Sequence, residues 1–207
     1  MKIRKLDKEG RYLPVMEYFL SIQGEGFHTG TASFFIRIGG CDVGCHWCDV
    51  KESWNPEIHP VVSVEEIINK IPAHIDTVVI TGGEPSLYNL ESLSKILKEK
   101  GKKIHLETSG TGNLPLNMDW ICLSPKKNEP PKKEFYSVAD ELKVIVQNKT
   151  DLKFAKEQAT KTSPKTHLYL QPEWSQREKM LPLIIEFIQE NPQWKISLQT
   201  HKYLNIP

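Results

Sequence analysis

A chain of 207 residues with 39% hydrophobic residues can bury one substantial core and has no spare length for a second full domain, so a single domain spanning 1–207 is expected. Its 27 Lys and Arg nearly balance 26 Asp and Glu, leaving a net charge of +1, which removes any overall field that would draw it to nucleic acid or a membrane. No stretch reaches the apolar length of a membrane span, and the opening MKIRKLDKEG lacks the apolar core of a secretory signal, so a cytoplasmic location is expected. Thiols stay reduced there, and clustered cysteines then point to a metal site or a catalytic group before a disulfide.

From residue 33 onward, short β-branched or apolar runs alternate with helical patterns, the signature of parallel βα units. The first strand is expected at SFFIRI (33–38), and Ser63 followed by Glu66 is a capping box opening VEEIINKI. A strand at DTVVI (76–80) precedes the helix ESLSKILKEK, which Gly101 should stop in a left-handed cap. KIHLE (103–107) and DWICLS (119–124) follow, and then the Lys/Pro-rich stretch 125–137, read as a solvated surface loop. ELKVIV (141–146) and HLYLQ (167–171) come next, and Ser175 with Glu178 reads as a second capping box, opening a helix in which Pro182 falls near the first turn. KISLQ (195–199) is the last strand. Seven strands with about four helices are too few for a closed eightfold barrel, so an open, partial βα barrel in a single α/β domain is expected.

Parallel α/β folds collect ligands where the carboxyl ends of strands meet their loops. The small polar clusters fall there: TGGEP, ETSG, SPK, QPEW and QTHK each follow a strand, so they are expected to share one rim.

Cys41, Cys45 and Cys48 crowd into eight positions of a chain whose only other cysteine is Cys122, expected to pack as a small buried residue. The C-x3-C-x2-C spacing lets one loop wrap three corners of a metal centre, and soft sulfur ligands select zinc or iron–sulfur clusters. A zinc completed by His46 is the simpler alternative, although it would make a strained tetrahedron of near neighbours. A [4Fe–4S] cluster normally takes four cysteines, so three would leave one iron open.

The three cysteines with Trp47, and TGGEP (81–85) as a glycine-rich loop after the second strand, resemble the radical S-adenosylmethionine (SAM) superfamily. SIQGEG (21–26), FFIRIGGCDVGCHWCD (34–49), ETSG, CLSPK, DELKV, QP and the terminal QTHKYLNIP narrow the resemblance, nearly end to end, to the 7-carboxy-7-deazaguanine synthase family. The resemblance implies an open-iron [4Fe–4S] cluster on Cys41, Cys45 and Cys48 and a SAM that is regenerated instead of consumed. It further implies that a 5′-deoxyadenosyl radical takes hydrogen from C6 of 6-carboxy-5,6,7,8-tetrahydropterin. The product is 7-carboxy-7-deazaguanine, formed with loss of ammonia and feeding queuosine and related pathways.

On the substrate side the resemblance points to Ile22, Gln23, Gly24, Glu25, Arg37, Thr81, His201 and Pro207. Arg37 lies in an apolar run where an unpaired charge would be costly, and its planar fork matches a carboxylate. Gln23 and Glu25 offer an amide and a carboxylate to the aminopyrimidinone edge, with Glu25 equally readable as a structural acceptor in its loop. The free carboxylate of Pro207 is an acceptor for a pterin N–H. For SAM the matching positions are Trp47, Gly83, Glu84, Ser109, Ser124, Pro125, Lys126 and Gln171. Lys143, inside a strand, needs a partner, and Glu141 two positions earlier is on the same face.

Many members of the family read Cys-Asp-Thr at the third cysteine, the threonine ligating Mg2+ beside the substrate carboxylate. Here Val50 stands in that place, and hard cations want oxygen. Weak or absent Mg2+ stimulation is expected, with Asp49 or Glu52 as substitute ligands or Lys51 as a positive charge replacing the ion. A flavodoxin or ferredoxin-type reductant and a homodimer are implied by the resemblance alone. Two other readings stay open on the sequence: another small radical SAM enzyme, such as a glycyl-radical activase, and a non-catalytic zinc or iron–sulfur protein.

Overall fold

The structure is a computed structural model that describes residues 8–207; most of the opening stretch read for a leader lies outside the described residues. Among the described residues nine strands form one sheet, which in spatial order are Val61–Ser63, Tyr12–Ile22, Ala32–Ile38, Thr77–Gly82, Lys103–Thr108, Trp120–Leu123, Glu141–Val146, His167–Pro172 and Trp194–Ile196. β1 (Tyr12–Ile22) runs antiparallel to β2 (Ala32–Ile38) on one side and to β3 (Val61–Ser63) on the other. From β2 on, all pairing is parallel: β4 (Thr77–Gly82), β5 (Lys103–Thr108), β6 (Trp120–Leu123), β7 (Glu141–Val146), β8 (His167–Pro172) and β9 (Trp194–Ile196).

The helices are α1 (Val64–Lys70), α2 (Glu91–Glu99), α3 (Lys133–Val138), α4 (Thr150–Ala159), α5 (Arg177–Glu190) and α6 (Thr200–Leu204). The strand alternation separates two faces. Phe34, Ile36 and Ile38, Val78 and Ile80, Ile104 and Leu106, and Leu142, Val144 and Val146 join one core with Ile67, Leu93, Leu97, Ala155 and Ile184 of the helices. The intervening residues, Phe35, Arg37, Thr81, Glu107, Lys143 and Gln171, point to the opposite face, which is where a period of two places them. One face is a hydrocarbon layer; the other is polar.

The sheet curls far enough for the loop after β1 to reach the segment after β9. The loop after β1 enters at the amino end of the parallel strands, where Phe27 stacks on Trp120 at a centroid distance of 4.8 Å, and just past β9 Gly26 N–H donates to Ser197 Oγ at 2.9 Å. His28, His105 and His167 belong to this aromatic plug. Burial and the neighbouring His28 ring hold the His105 imidazole down at about 4, so that ring is neutral at pH 7. α6 runs along the seam between β9 and β1, with Thr200 N–H on Gly24 O at 2.9 Å and Ser21 Oγ on Pro207 O at 2.7 Å. The fold is thus an open barrel stoppered at one end and strapped along its gap.

Several local expectations shift. β1 and β3 lie before and between the strands read from the sequence, because antiparallel β1 carries Pro14 and a register slip between Val15 and Glu17 that blur its pattern. Ser63 Oγ does accept the Glu66 N–H, and Gly101 adopts φ 71° after α2. Ser175 does not cap α5: its hydroxyl donates to Glu173, whose side chain caps a 3-10 turn at Trp174–Gln176 ahead of the helix. Pro182 is the sixth residue of α5. The stretch 125–137 is loop only to Lys132, since Phe135 and Tyr136 bury themselves and wind α3.

Candidate active site

A cavity of about 440 Å3 occupies the polar face, open toward the carboxyl ends of the strands. Its floor is an ion network. Lys143 is almost fully buried, with Nζ 2.6 Å from Glu25 Oε2 and 2.8 Å from Glu107 Oε2. Glu25 Oε1 also accepts from Gln199 Nε2 at 3.0 Å, and Glu107 Oε1 accepts from Gln23 Nε2 at 3.2 Å. Burial would raise the Glu25 carboxyl, yet the Lys143 ammonium, with help from His201 and Gln199, holds it at about 2. Burial alone would likewise neutralise Lys143, and the surrounding acids raise it well above its ordinary value instead. Both groups are charged at neutral pH.

This corrects the expected pairing of Lys143 with Glu141. Glu141 Oε2 accepts the Phe27 N–H at 3.0 Å, and burial raises its carboxyl. It also fixes Glu25 as a structural anion with both oxygens engaged. Gln23 is similarly spent, its Oε1 taking the Glu25 N–H at 3.1 Å and leaving one amide hydrogen for a ligand. Gly24 separates the two for steric reasons: a Cβ there would lie 2.8 Å from His201 Cγ, so only glycine lets α6 close on the loop.

Arg37 stands on the wall with its charge paired. The bulge in β1 brings Glu17 opposite it, and Arg37 Nε donates to Glu17 Oε1 at 2.6 Å. Its Nη atoms have no partner among the described residues, so the outer edge of the fork is available to an anion. Thr81, paired with Arg37 across β2 and β4, and Ile22, His201 and Pro207 also line the cavity. Burial lowers the His201 imidazole, despite the opposing pull of Glu25.

The mouth carries Cys41, Cys45, Trp47 and Cys48. Burial raises the Cys41 and Cys45 thiols, and Lys126 opposes this at Cys45, so a metal must displace protons to bind there. The cysteine loop is laced to the glycine loop: Gly83 N–H donates to Ile38 O at 2.9 Å, Glu84 N–H to Gly40 O at 2.8 Å, and Cys41 N–H to Trp54 O at 3.2 Å. A Cβ on Gly83 would fall 2.7 Å from the Gly40 carbonyl carbon and 2.9 Å from Cys41 Cβ, so the paired glycines exist to let these loops touch.

The donor set fits an iron–sulfur cluster. The three thiols border one cavity together, while among the described residues no three His, Cys, Asp or Glu side chains converge as a single ion requires. A cubane spreads its thiolates over separate irons and needs no such convergence. His46, the candidate fourth zinc ligand, is exposed and turns its Nε2 to Gln147 at 3.0 Å.

Of the remaining positions expected to meet SAM, Gly83, Ser109, Ser124, Lys126 and Gln171 line the cavity beside the cysteines. Lys126 Nζ reaches Ser124 Oγ at 2.6 Å and lies 5.6 Å above the Trp47 ring, and burial lowers its ammonium. Glu84 is a correction. It is 1% exposed, with Oε1 accepting from Ser86 N at 2.9 Å and from Thr108 Oγ1, and Oε2 accepting from Ser109 N at 2.6 Å and from Ser109 Oγ. With four donors aimed at it, it braces two loops and has nothing left for SAM. Pro125 does not line the main cavity but borders a smaller adjoining hollow that shares Cys45, Trp47 and Lys126 with it.

The Mg2+ position does not fit the ion. Val50 lines the cavity without an oxygen, and Asp49 Oδ2 is engaged by Lys202 Nζ at 2.7 Å and Gln199 Nε2 at 3.4 Å. Lys51, the other expected charge, lies over the Trp54 ring at 6.0 Å and outside the cavity, as does Glu52. Glu107, Gln199 and Lys202 are site residues that motif reading passed over. Glu107 was findable by the same parity that singles out Lys143, each being a charge on the inward face of an apolar strand.

The comparisons agree with this geometry. Residues 35–119 match the Radical SAM superfamily model. A 7-carboxy-7-deazaguanine synthase of Flavobacterium psychrophilum is 53% identical, the match covering 97% of this chain and 95% of that protein. One from Synechocystis is 48% identical over 93% of each. The crystal structure of QueE from Escherichia coli superposes with a TM-score of 0.80 at 30% identity, covering 90% of this chain and 93% of that one. Identity of this order along nearly the whole of each chain, with the same fold, shows the family: the protein belongs to the 7-carboxy-7-deazaguanine synthase family of the radical SAM enzymes.

Proposed function

We propose that the protein converts 6-carboxy-5,6,7,8-tetrahydropterin to 7-carboxy-7-deazaguanine with release of ammonia, in 7-deazapurine biosynthesis. The observation that carries this is one cavity holding both halves of the chemistry, with cysteines and a glycine loop at its mouth and an arginine with a free fork on its wall. A cluster on Cys41, Cys45 and Cys48, with SAM on its open iron, supplies hydrogen abstraction when bound. The chain's own residues do the rest.

Arg37, held by Glu17, takes the substrate carboxylate bidentately. The remaining amide hydrogen of Gln23, the backbone of Ile22 and Gly24, Thr81, His201 and Pro207 meet the pterin. The charge-paired floor of Glu25, Lys143 and Glu107 keeps these groups in place and gives the bicyclic ring a rigid polar surface. Ser109, Ser124 and Gln171 offer hydroxyl and amide groups to the ribose and adenine edges of SAM, with Trp47 and Lys126 beside them. α6 and the segment 199–207 close the pocket over the ring and exclude water.

The reading includes a flavodoxin or ferredoxin-type electron donor, a homodimer and a cytoplasmic setting, all three supported by the resemblance alone. Among the described residues no helix is long and apolar enough to cross a membrane. Mg2+ stimulation is weak or absent, because the position for its ligand is a valine. The test is anaerobic product analysis with the carboxypterin, SAM and reductant: the deazapurine supports the reading, and SAM cleavage uncoupled from any pterin product opposes it.

A further inference from the structure

Val50 offers no side-chain oxygen where the resemblance would put a Mg2+ ligand, and a carboxylate brought into the cavity is stabilised by cations around it. Four cations border the cavity: Arg37, Lys126, Lys143 and Lys202. Lys143 is consumed by Glu25 and Glu107 on the floor, and Lys126 is turned onto Ser124 beside Trp47. Each of these two keeps a single N–H, whereas Arg37 and one other cation keep at least two donors free.

Lys202 is the second of them. It extends from α6 with its side chain only 21% exposed, and its ammonium is held by Asp49 at 2.7 Å and by the Trp174 ring, whose centroid is 5.1 Å away. Asp49 accepts one of its three N–H bonds and is the residue between Cys48 and Val50, so the ammonium stands at the stretch of the loop where the threonine oxygen is missing. An acidic neighbour and an aromatic face keep the charge in place without using up its donors.

We propose that Lys202 is the second cation for the substrate carboxylate, acting with Arg37 where other members of the family use Mg2+. This rests on the carboxypterin reading above. In the free enzyme Asp49 holds the ammonium; on binding, the carboxylate takes the remaining N–H donors, and the valine beside it needs no oxygen. The chain has replaced a metal ion by a residue on the closing segment, which ties carboxylate binding to closure of α6.

The experiment is equilibrium binding of 6-carboxytetrahydropterin, and of tetrahydropterin without the carboxylate, to cluster-loaded protein with and without Mg2+. Parent, Lys202→Met, Lys202→Arg and Val50→Thr/Lys202→Met proteins are compared, each checked for iron content and circular dichroism. Loss of one charged hydrogen-bonding partner corresponds to roughly tenfold in affinity or more. Lys202→Met should therefore weaken the carboxypterin by at least about tenfold, leave the decarboxylated pterin unchanged and raise KM more than it lowers kcat. Lys202→Arg should bind nearly as the parent does, and Mg2+ should restore the double variant but not Lys202→Met. Equal affinity of parent and Lys202→Met for the carboxypterin, or equal losses for both pterins, overturns the proposal while leaving the function intact. A parent protein that binds neither pterin overturns the function, and the proposal with it.

Discussion

Lys143 and Glu25, 118 residues apart in the chain, meet at 2.6 Å on the floor of the cavity. The contact joins the loop that stoppers the barrel to the strand opposite it. Its partner contact to Glu107 at 2.8 Å makes the lysine the single counter-charge of two acids. Replacing Lys143 by Met strands both carboxylates, and breaking a buried pair in this way costs about 3–5 kcal/mol. Urea denaturation should show that loss, and turnover should fall with it. A Lys143→Met protein as stable as the parent would mean that the network is dispensable.

The same contact sets an acid limit. The Glu25 carboxyl titrates at about 2 in the fold against an ordinary 4.5, so the unfolded chain binds its proton first as pH falls. Its stabilisation is complete above pH 4.5 and is lost progressively between there and 2. Glu25→Gln should be less stable than the parent at pH 7, and its stability should fall less steeply across that window. Parallel stability–pH curves for the two proteins would contradict the assignment.

Glu84 should behave as a brace and not as a ligand. Glu84→Gln cannot accept all four donors now aimed at the carboxylate, and one mismatched buried donor costs about 1–3 kcal/mol. The unfolding free energy should drop by that amount, and binding of SAM should weaken only as far as the loops loosen. A stable protein with SAM binding abolished would make Glu84 a direct contact.

The cysteines divide cleanly. Alanine at Cys41, Cys45 or Cys48 should each remove iron and sulfide after anaerobic reconstitution. Cys122 is buried at 1% exposure in the barrel wall, its thiol pushed up well above the ordinary range by burial, so Cys122→Ala should keep the full cluster and lose on the order of 1 kcal/mol of packing. Iron loss from Cys122→Ala would place it among the ligands.

Gly83→Ala should uncouple the two loops at the mouth, because its Cβ would press on the backbone of Gly40 and on Cys41. The expected signature is a cluster that assembles but binds SAM at least about tenfold more weakly, read by equilibrium dialysis. Unchanged SAM affinity would show that the close approach of the loops has no bearing on the cofactor.

Motif spacing and parity carried much of this from sequence. C-x3-C-x2-C, the double glycine and the apolar strands alternating with polar residues each act within a few residues, where covalent geometry determines which side chains share a loop or a face. The long antiparallel β1 was illegible because its bulge breaks the period of two at the point that brings Glu17 to Arg37. Contacts made only by folding were also hidden: no local pattern says that Lys143 pairs with Glu25 instead of nearby Glu141, or that Lys202 lies against Asp49, 153 residues away. Glu84 was misread for a related reason. Its motif marks a loop beside the cofactor, while its four donors come mostly from the exit of β5.

The most direct measurement is a single anaerobic assay of cluster-reconstituted protein with SAM, dithionite and 6-carboxytetrahydropterin, followed by absorbance and mass analysis. Formation of 7-carboxy-7-deazaguanine with ammonia, without added Mg2+ and with SAM recovered intact, is the predicted result. A protein that carries the cluster and binds SAM, yet leaves the carboxypterin unchanged, would contradict the account.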